Sequence, residues 1–472
     1  MRIENDLGRD EIKRLVLRIA LPSMLAQFVS VLYSIVDRIY IGNIPGIGTL
    51  ALAGVGICGP VVTMVGSFAF LVGVGGAPLM SIAMGEKNLE QAKKILANCF
   101  LLLCVCSVLV MGLLYPLREP MLRLFGASDT LLPYADIYFS IYLTGTVFAL
   151  LSLGLNQFII CQGFAKVGMQ SVVLGAILNI VLDPIFIFAL HLDVAGAAIA
   201  TVLSQLASCI YVLCFLFRRD IPVRITFRGY SARIMGKVLG LGLTPFVIIA
   251  MDNLMIIVMN AVLQQYGGPA RGDFLITCAT IAQSFMLLVT MPLGGITGGT
   301  GTILSYNYGA RQASRVRAAQ RSIFLLCIAY TALLFVLART AGPLFIRLFT
   351  TDGAVAKQTL WAIGVCTLAI VPMGIQYGIV DGFTALGKMS LSLPLSFFRK
   401  TVYFVALFLL PYFFGADMTF YAQPISDVIA PVVTVTVYSI AMGRILRRRE
   451  DAPETPVLSP EIQTTPEGTP AF

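Results

Sequence analysis

Long runs of apolar residues recur from one end of the chain to the other, and short polar stretches separate them. A helix needs about 20 apolar residues to cross a bilayer, and the pattern predicts twelve such spans. They lie near 14–40, 49–82, 93–115, 132–159, 166–190, 194–217, 236–264, 272–306, 318–338, 355–385, 390–413 and 418–443. The expected fold is therefore an all-α membrane protein with twelve transmembrane helices.

Composition and charge support this interpretation. Of the 472 residues, 58% are hydrophobic and only 12% are charged, about half the charged share of a soluble domain. The first apolar run is too long for a cleavable signal peptide. The net charge of +9 does not indicate a nucleic-acid partner, because most of the 33 Lys and Arg residues fall in alternate connections. This asymmetry follows the positive-inside rule and predicts that both termini are cytoplasmic.

Neither the cysteines nor the C-terminal segment indicates a disulfide, a metal site or a cofactor. All ten cysteines lie in apolar runs and no CxxC spacing occurs, so they are typical of small core residues. We expect no disulfide, no cysteine metal site and no cofactor. The segment after Arg449 is rich in Pro and Thr and is expected to be disordered.

The chain is an internal repeat. GLNQFIICQGFAKVG (154–168) resembles GIQYGIVDGFTALGK (374–388), and MLRLFGASD (121–129) resembles FIRLFTTD (345–352). Six spans in each half give both halves the same orientation, related by a pseudo-two-fold axis along the membrane normal. Parallel repeats of this kind are typical of transporters. We expect an N-terminal lobe at 1–225, a C-terminal lobe at 226–446 and a cytoplasmic tail at 447–472.

The stretch LNIVLDPIF, residues 178–186, places an amide, a carboxylate and a proline in an apolar run. Asn179 and Asp183 are four residues apart and share one helix face. Pro184 lacks an N–H, so a bend and a freed carbonyl are expected beside them. A membrane tolerates these features only where they line a polar cavity or are buried in protein.

The predicted topology supplies partners for this pair. Asp37 lies near the outer end of span one, and Thr201 lies at a similar depth in span six. We expect them to meet Asn179 and Asp183 in the outer half of the N-terminal lobe, as a site for a proton or a small hard cation such as Na⁺. The alternative is that Asp37 pairs locally with Arg38 and Asp183 satisfies a neighbouring helix.

The second repeat does not copy this polar set, because Asn260 stands in place of Asp37 and Val402 in place of Asp183. It has polar positions of its own, at Asp252, Asn253, Arg399, Lys400 and Asp427.

Two of these groups, Asp252 and Arg399, lie near the middle of the membrane. They either neutralise each other or make separate contacts with neighbouring helices. Asp381 aligns with Gln162 and is interpreted as structural.

Soft and aromatic side chains are expected to line a substrate cavity, because they adapt to ligands of different shape. The candidates are Tyr33, Met255, Met259, Gln283, Met286, Asp252 and Arg399; the methionines and aromatics could equally face lipid. The glycine runs GVGGAP (73–78) and GGITGGTG (294–301) lack the GK[ST] of a phosphate loop. They indicate close helix packing or hinges.

Four stretches, taken together, resemble the multidrug and toxic compound extrusion (MATE) transporters, and in particular a MepA-like branch. They are LPSMLAQFVSVLYSIVDRIYIG, LVGVGGAPLMSIAMGE, LNIVLDPIFIF and GAAIAT. The resemblance implies two six-helix bundles around a central cavity that opens alternately inward and outward. It implies that entry of H⁺ or Na⁺ drives export of amphipathic, often cationic drugs. It also places the family's N-lobe cation site at Asp37, Asn179, Asp183 and Thr201.

One family pattern is not matched. A second branch uses acids in spans seven and ten, and here Gly374 stands at the span-ten position. A cation site in the C-terminal lobe is therefore not expected on the resemblance.

The resemblance implies multidrug efflux, and hence xenobiotic transport and antibiotic resistance, by an antiporter that is not an enzyme. We expect a monomer surrounded by lipid in a bacterial cytoplasmic (inner) membrane. The alternative is a flippase for lipid-linked saccharides, whose anionic substrate should need several cavity cations, whereas only Arg399 and Lys400 lie within spans. A prenyl transferase would need a DDxxD-like cluster, which does not occur, and a channel would not drive uphill efflux.

Overall fold

The structure is a computed structural model that describes residues 5–125, 127–350 and 352–451. Helices joined by short connections make up most of this part of the chain. They are α1 (Ile12–Gly42), α2 (Gly48–Gly85), α3 (Leu89–Leu124), α4 (Leu132–Thr144), α5 (Thr146–Ile160), α6 (Ala165–Pro184), α7 (Asp193–Leu216), α8 (Ala232–Gly309), α9 (Ala313–Thr340), α10 (Gly342–Arg347), α11 (Gly353–Cys366), α12 (Ile370–Ala385), α13 (Met389–Phe414) and α14 (Ala422–Glu450). A π-helical turn, Ile185–Ala189, follows α6, and a 3-10 helix, Ala416–Tyr421, precedes α14.

These helices account for the twelve predicted crossings. Ten helical segments in the described residues are long and apolar enough to cross a membrane by themselves, and α8 supplies two of them because it breaks at Gly268, where φ is 66°. The other two crossings are bent pairs. α4 and α5 meet at 57°, and α11 and α12 meet at 49°.

The sequence pattern treated each bent pair as one uninterrupted span, and the structure shows where each is broken. The first break falls at Gly145. The second lies just before Pro372, which cannot donate a helical hydrogen bond to the carbonyl of Leu368. Apolar composition continues through both breaks, so hydropathy alone does not reveal them.

The backbone repeats along with the sequence. The turn after α2 contains Lys87 with φ of 60°, and the corresponding turn after α8 contains Arg311 with φ of 58°. The turns after α5 and α12 contain Gly163 and Gly387, with φ of 91° and 70°. The two bent pairs also occupy equivalent places, so each half of the chain builds the same six-crossing unit.

The glycine runs allow close helix packing, as predicted. A Cβ at Gly75 would collide with the backbone of Val238 at the start of α8. A Cβ at Gly295 would collide with the backbone of Ser23 in α1. Each contact joins a helix of one half to a helix of the other, so these glycines bring the two lobes together.

The lobes are closed at the end of the bundle where α2 and α8 end. A Cβ at Gly85 would meet the carbonyl oxygen of Tyr306, and one at Gly309 would meet that of Ile82. Glu86, which follows α2, forms an ion pair with Arg449 in the last turn of α14. Within the described residues, the backbones of α2 and α8 are therefore in direct contact at this end.

The N-terminal segment reinforces the same closure. The Asn5 side chain donates to the carbonyl of Gly163 in the first lobe at 2.8 Å. Arg315, in the second lobe, donates to the carbonyl of Asp10 at 2.9 Å. Leu7 is buried between these contacts, so the segment ties the two lobes together.

Two local expectations change in detail. α6 continues through Pro184 and widens into the π-helical turn, so the expected irregularity begins after the proline. α14 extends to Glu450, which makes 447–450 helical. The rest of the predicted tail, 452–472, lies outside the described residues.

Candidate functional site

The LNIVLDPIF stretch forms the buried side of a polar cluster in the N-terminal lobe. Asn179 and Asp183 are both almost fully enclosed. Asn179 Nδ2 donates to Asp183 Oδ1 at 3.1 Å and approaches Thr201 Oγ1 of α7 at 3.4 Å. The predicted side-chain grouping of α6 with α7 is therefore present.

Asp37 of α1 completes the cluster. α1 packs along α6, and the carboxyl groups of Asp37 and Asp183 are close enough to interact with each other. Asp37 makes no ion pair with Arg38 in the described part of the chain. The alternative of a local Asp37–Arg38 pair is thus not what the structure shows.

The cluster has unused binding capacity. Asp37 Oδ1, Asn179 Oδ1 and Asp183 Oδ2 are buried oxygens without a hydrogen-bond partner. A buried acceptor left unpaired is costly, and two adjacent carboxylates repel each other unless a positive charge lies between them. These oxygens fit a proton shared by the acids or a small hard cation.

The donor set also limits the kind of ion. It contains two carboxylates, an amide oxygen and a hydroxyl. No group of three or more His, Cys, Asp or Glu that could hold a metal ion occurs among the described residues. Oxygen donors without sulfur or imidazole favour hard cations over transition metals.

Tyrosines enclose the cluster, and sequence reasoning missed two of them. Tyr138 and Tyr142 of α4 are buried. They lie close to Thr201 and Gln205 of α7 respectively. Tyr138 and Tyr142 are four residues apart, as are Thr201 and Gln205 on α7, and this matching spacing is a sequence signal that could have found the two tyrosines. Tyr33, a predicted cavity residue, lies one turn before Asp37 on α1.

The charged residues of the C-terminal lobe form ion pairs, but Asp252 and Arg399, which the sequence analysis considered as partners, do not pair with each other. Lys400 of α13 bonds Asp252 of α8. Arg399 Nε bonds Asp427 Oδ1 of α14 at 3.0 Å, and Gln423 donates to the other oxygen of Asp427 at 2.6 Å. Adjacent helix positions point about 100° apart, so Arg399 and Lys400 face different neighbours. Of the two alternatives, the structure therefore shows the second: Asp252 and Arg399 do not pair with each other but make separate bonds to neighbouring helices.

The remaining cavity candidates differ in exposure. Met259 is buried, and its sulfur accepts from Gln283 Nε2 at 3.3 Å and from the Tyr403 hydroxyl at 3.5 Å. Met255 and Met286 are half-buried against the same core. Arg399 is also buried. Asp252, Met255 and Met286 thus remain partly accessible, while Met259 and Arg399 lie in the interior of the lobe.

Asp381 lies apart from both charged groups. The Thr297 hydroxyl donates to its carboxylate at 2.5 Å, which joins α8 to α12. This contact between helices of one lobe agrees with the structural interpretation.

Comparison with known proteins gives consistent results. The MatE family model matches residues 22–185 and, separately, 249–410, one match in each half of the chain. The multidrug export protein MepA of Staphylococcus haemolyticus is 22% identical over 428 residues, covering 90% of this chain and 93% of that protein. MepA of Staphylococcus aureus is 21% identical over 435 residues, covering 91% and 94%.

Solved structures share the whole architecture. A multidrug resistance MATE family transporter in an outward-facing conformation superposes with a TM-score of 0.87 at 23% identity, covering 93% of this chain and 98% of that one. A MOP superfamily transporter from Pyrococcus furiosus gives a TM-score of 0.87 at 24% identity, with coverage of 93% and 98%. The twelve-helix, two-bundle architecture predicted from the sequence is confirmed.

Proposed function

Because the chain belongs to the MatE family of membrane transporters, we propose that it exports amphipathic, often cationic drugs in exchange for an inward-moving H⁺ or Na⁺. Transport proceeds by alternating access of a cavity between the two lobes. The chain acts as a transporter and not as an enzyme. The orphaned oxygens of Asp37, Asn179 and Asp183 are the observation that carries the cation-binding step.

The cation acts through repulsion within the cluster. Without it, the Asp37 and Asp183 carboxylates repel, and α1 is held away from α6. A proton or Na⁺ removes the repulsion and lets α1 move toward α6 and α7. A ligand shifts a conformational equilibrium only by its differential affinity for the two states, and the distance between these carboxylates supplies that difference.

The drug is released as the ion binds. Tyr33 lies one turn from Asp37 on α1, so movement of α1 changes the shape of the neighbouring cavity. Ion and drug then oppose each other through the conformation of the bundle, without sharing the same ligands. This opposition is what an exchanger requires.

A flippase for lipid-linked saccharides remains the second candidate, and the charges of the C-terminal lobe argue against it. Such a substrate bears phosphate and needs free cations. Arg399 and Lys400 are each paired with a carboxylate, which leaves no net positive charge there.

The proposed setting is a bacterial cytoplasmic membrane, as for the bacterial MepA relatives. Both termini lie on the cytoplasmic side, and the chain works as a monomer. The closed end at Gly85 and Gly309 is then the cytoplasmic end.

Transport in proteoliposomes tests the function. The purified protein is reconstituted with ethidium as substrate, and a pH gradient and a Na⁺ gradient are imposed separately. Uphill ethidium movement driven by either gradient supports the proposal. Ethidium that only equilibrates under both gradients contradicts the exchanger, and movement of a lipid-linked saccharide without ethidium transport favours the flippase.

A further inference from the structure

The C-terminal lobe contains an ion pair whose two partners differ in accessibility. Lys400 bonds Asp252, and the Lys400 side chain is only 4% exposed whereas the Asp252 side chain is 48% exposed. The neighbouring Arg399–Asp427 pair is enclosed on both sides, at 10% and 0%. An organic molecule outside the lobe can therefore contact the carboxylate of Asp252 directly, whereas the ammonium that neutralises it is too enclosed to be contacted by anything larger than water.

The pattern of exposure along α8 indicates that Asp252 faces the cleft between the lobes. Ile256, four residues later on the same face of α8, is 43% exposed. Leu243 and Leu254 are exposed on the opposite face of this helix. A carboxylate is very costly in lipid, so the leucine face contacts lipid and the Asp252–Ile256 face contacts the cleft.

We propose that an organic cation displaces Lys400 from Asp252, and that Lys400 then releases its proton to water. The proposal rests on the proposed function and deepens it by specifying a positively charged substrate group that replaces the ammonium. In this exchange the Asp252–Lys400 ion pair breaks and an Asp252–cation pair forms. The Lys400 N–H bond breaks and the proton leaves through the cleft, so charge and atoms balance.

The proton leaves because Lys400 loses the carboxylate to which it is bonded. An ammonium left without a bonded partner in a protein interior is strongly destabilised. Asp427 also attracts Lys400, but its two oxygens already accept from Arg399 and Gln423, and Arg399 repels Lys400. The nearby phenols do not help: the Tyr377 ring lies beneath the Arg399 guanidinium at 5.3 Å, and Tyr403 donates to Met259.

The adjacent residues Arg399 and Lys400 therefore have different roles. Arg399 stays protonated under all ordinary conditions and holds Asp427 permanently. Lysine releases a proton readily when buried without a partner. The second lobe consequently exchanges a drug cation for a proton directly at one carboxylate, while the first lobe acts through helix movement.

Proton release on dye binding measures this exchange. Ethidium is added to purified protein in weak buffer, and released protons are counted with a pH indicator. The background is the double variant Asp37→Asn/Asp183→Asn, which removes both carboxylates of the first-lobe cluster. The expected result is about one proton released per bound ethidium, with affinity rising as pH rises.

Lys400→Arg is the decisive variant, because arginine keeps the pair with Asp252 but does not release a proton. It should bind ethidium more weakly and release none. Lys388→Arg makes the same replacement at a lysine that lies over the Tyr308 ring, away from this pair, and should leave proton release unchanged. If Lys400→Arg does not fold, Lys400→Met gives the same test and should also release no proton.

Two results would overturn the inference. One is ethidium binding without proton release in the Asp37→Asn/Asp183→Asn parent, and the other is undiminished release when Lys400→Arg or Lys400→Met is added to it. Failure of the proposed function is seen separately, as absence of gradient-driven ethidium transport by wild-type protein in proteoliposomes.

Discussion

Whether a buried acid in this helix bundle can bind a cation depends on the groups that lie beside it. Asp183 is fully buried and has an orphaned oxygen beside that of Asp37. Asp381 is held by the hydroxyl of Thr297. Asp37 and Asp183 can therefore still bind a cation, whereas Asp381 is already hydrogen-bonded within its own lobe.

At the scale of the residue, we predict that Asp37→Asn and Asp183→Asn each abolish gradient-driven ethidium efflux. Each change removes a negative charge that the coupling cation needs, while the amide keeps the size of the side chain. Efflux is measured in cells or proteoliposomes, with expression followed on immunoblots. Asp381→Asn is the control and should retain most transport. If Asp381→Asn loses efflux while Asp37→Asn keeps it, the coupling site lies in the C-terminal lobe.

At the scale of the element, helix termini and breaks determine how the lobes close. α2 and α8 approach so closely that Gly85 and Gly309 have no room for a Cβ. The break at Gly145 lets one crossing change direction within the membrane, and the break at Gly268 separates two successive crossings. The contact that closes α2 against α8 and the breaks in the helices thus occur at a few glycines within apolar helices.

We predict that Gly85→Ala impairs transport by preventing close approach of α2 and α8. The new methyl group would collide with the backbone at Tyr306, which cannot turn aside as a flexible side chain can. Ethidium efflux should fall severalfold, and a cysteine-reactive probe should reach the cavity from the cytoplasmic side more readily. Gly56→Ala on the same helix meets open space and should behave as wild type; equal loss in both variants would mean that helix flexibility, and not closure, is at fault.

At the scale of the whole molecule, duplication gives two lobes that are alike in backbone and unlike in charge. The turns at Lys87 and Arg311 repeat the same conformation, yet Val402 stands where the first lobe has Asp183. The ion cluster of one lobe and the ion pairs of the other therefore belong to one protein with two chemically distinct halves.

The topology predicts that both termini are cytoplasmic, because an even number of crossings returns the chain to its starting side and the cations cluster there. A reporter that is active only in the cytoplasm, fused after Arg449, should be active. A reporter active only outside, fused at the same place, should be silent. The reverse pattern would invert the depth of every site described above.

Drug and coupling ion should oppose each other in solution. A coupling of about 1–3 kcal/mol corresponds to a change in affinity of about 5–150-fold. Ethidium binding to wild type should weaken as pH falls, or as Na⁺ is added, because the filled cluster favours the drug-releasing form. Asp37→Asn should lose the Na⁺ effect, because one of the two carboxylates that hold the ion is gone. An unchanged Na⁺ effect in this variant would argue against the cluster.

The sequence by itself determined the class of fold, the twelve crossings and the duplication, because apolar length and repeated motifs are local properties. It also grouped Asp37, Asn179, Asp183 and Thr201, since topology fixes the depth of each residue along its span. Only the tertiary structure decided which side chains meet around each helix, because rotation about the helix axis depends on packing against neighbours. Because of that rotation, Lys400 pairs with Asp252, Arg399 pairs with Asp427, and Tyr138 lies beside Thr201.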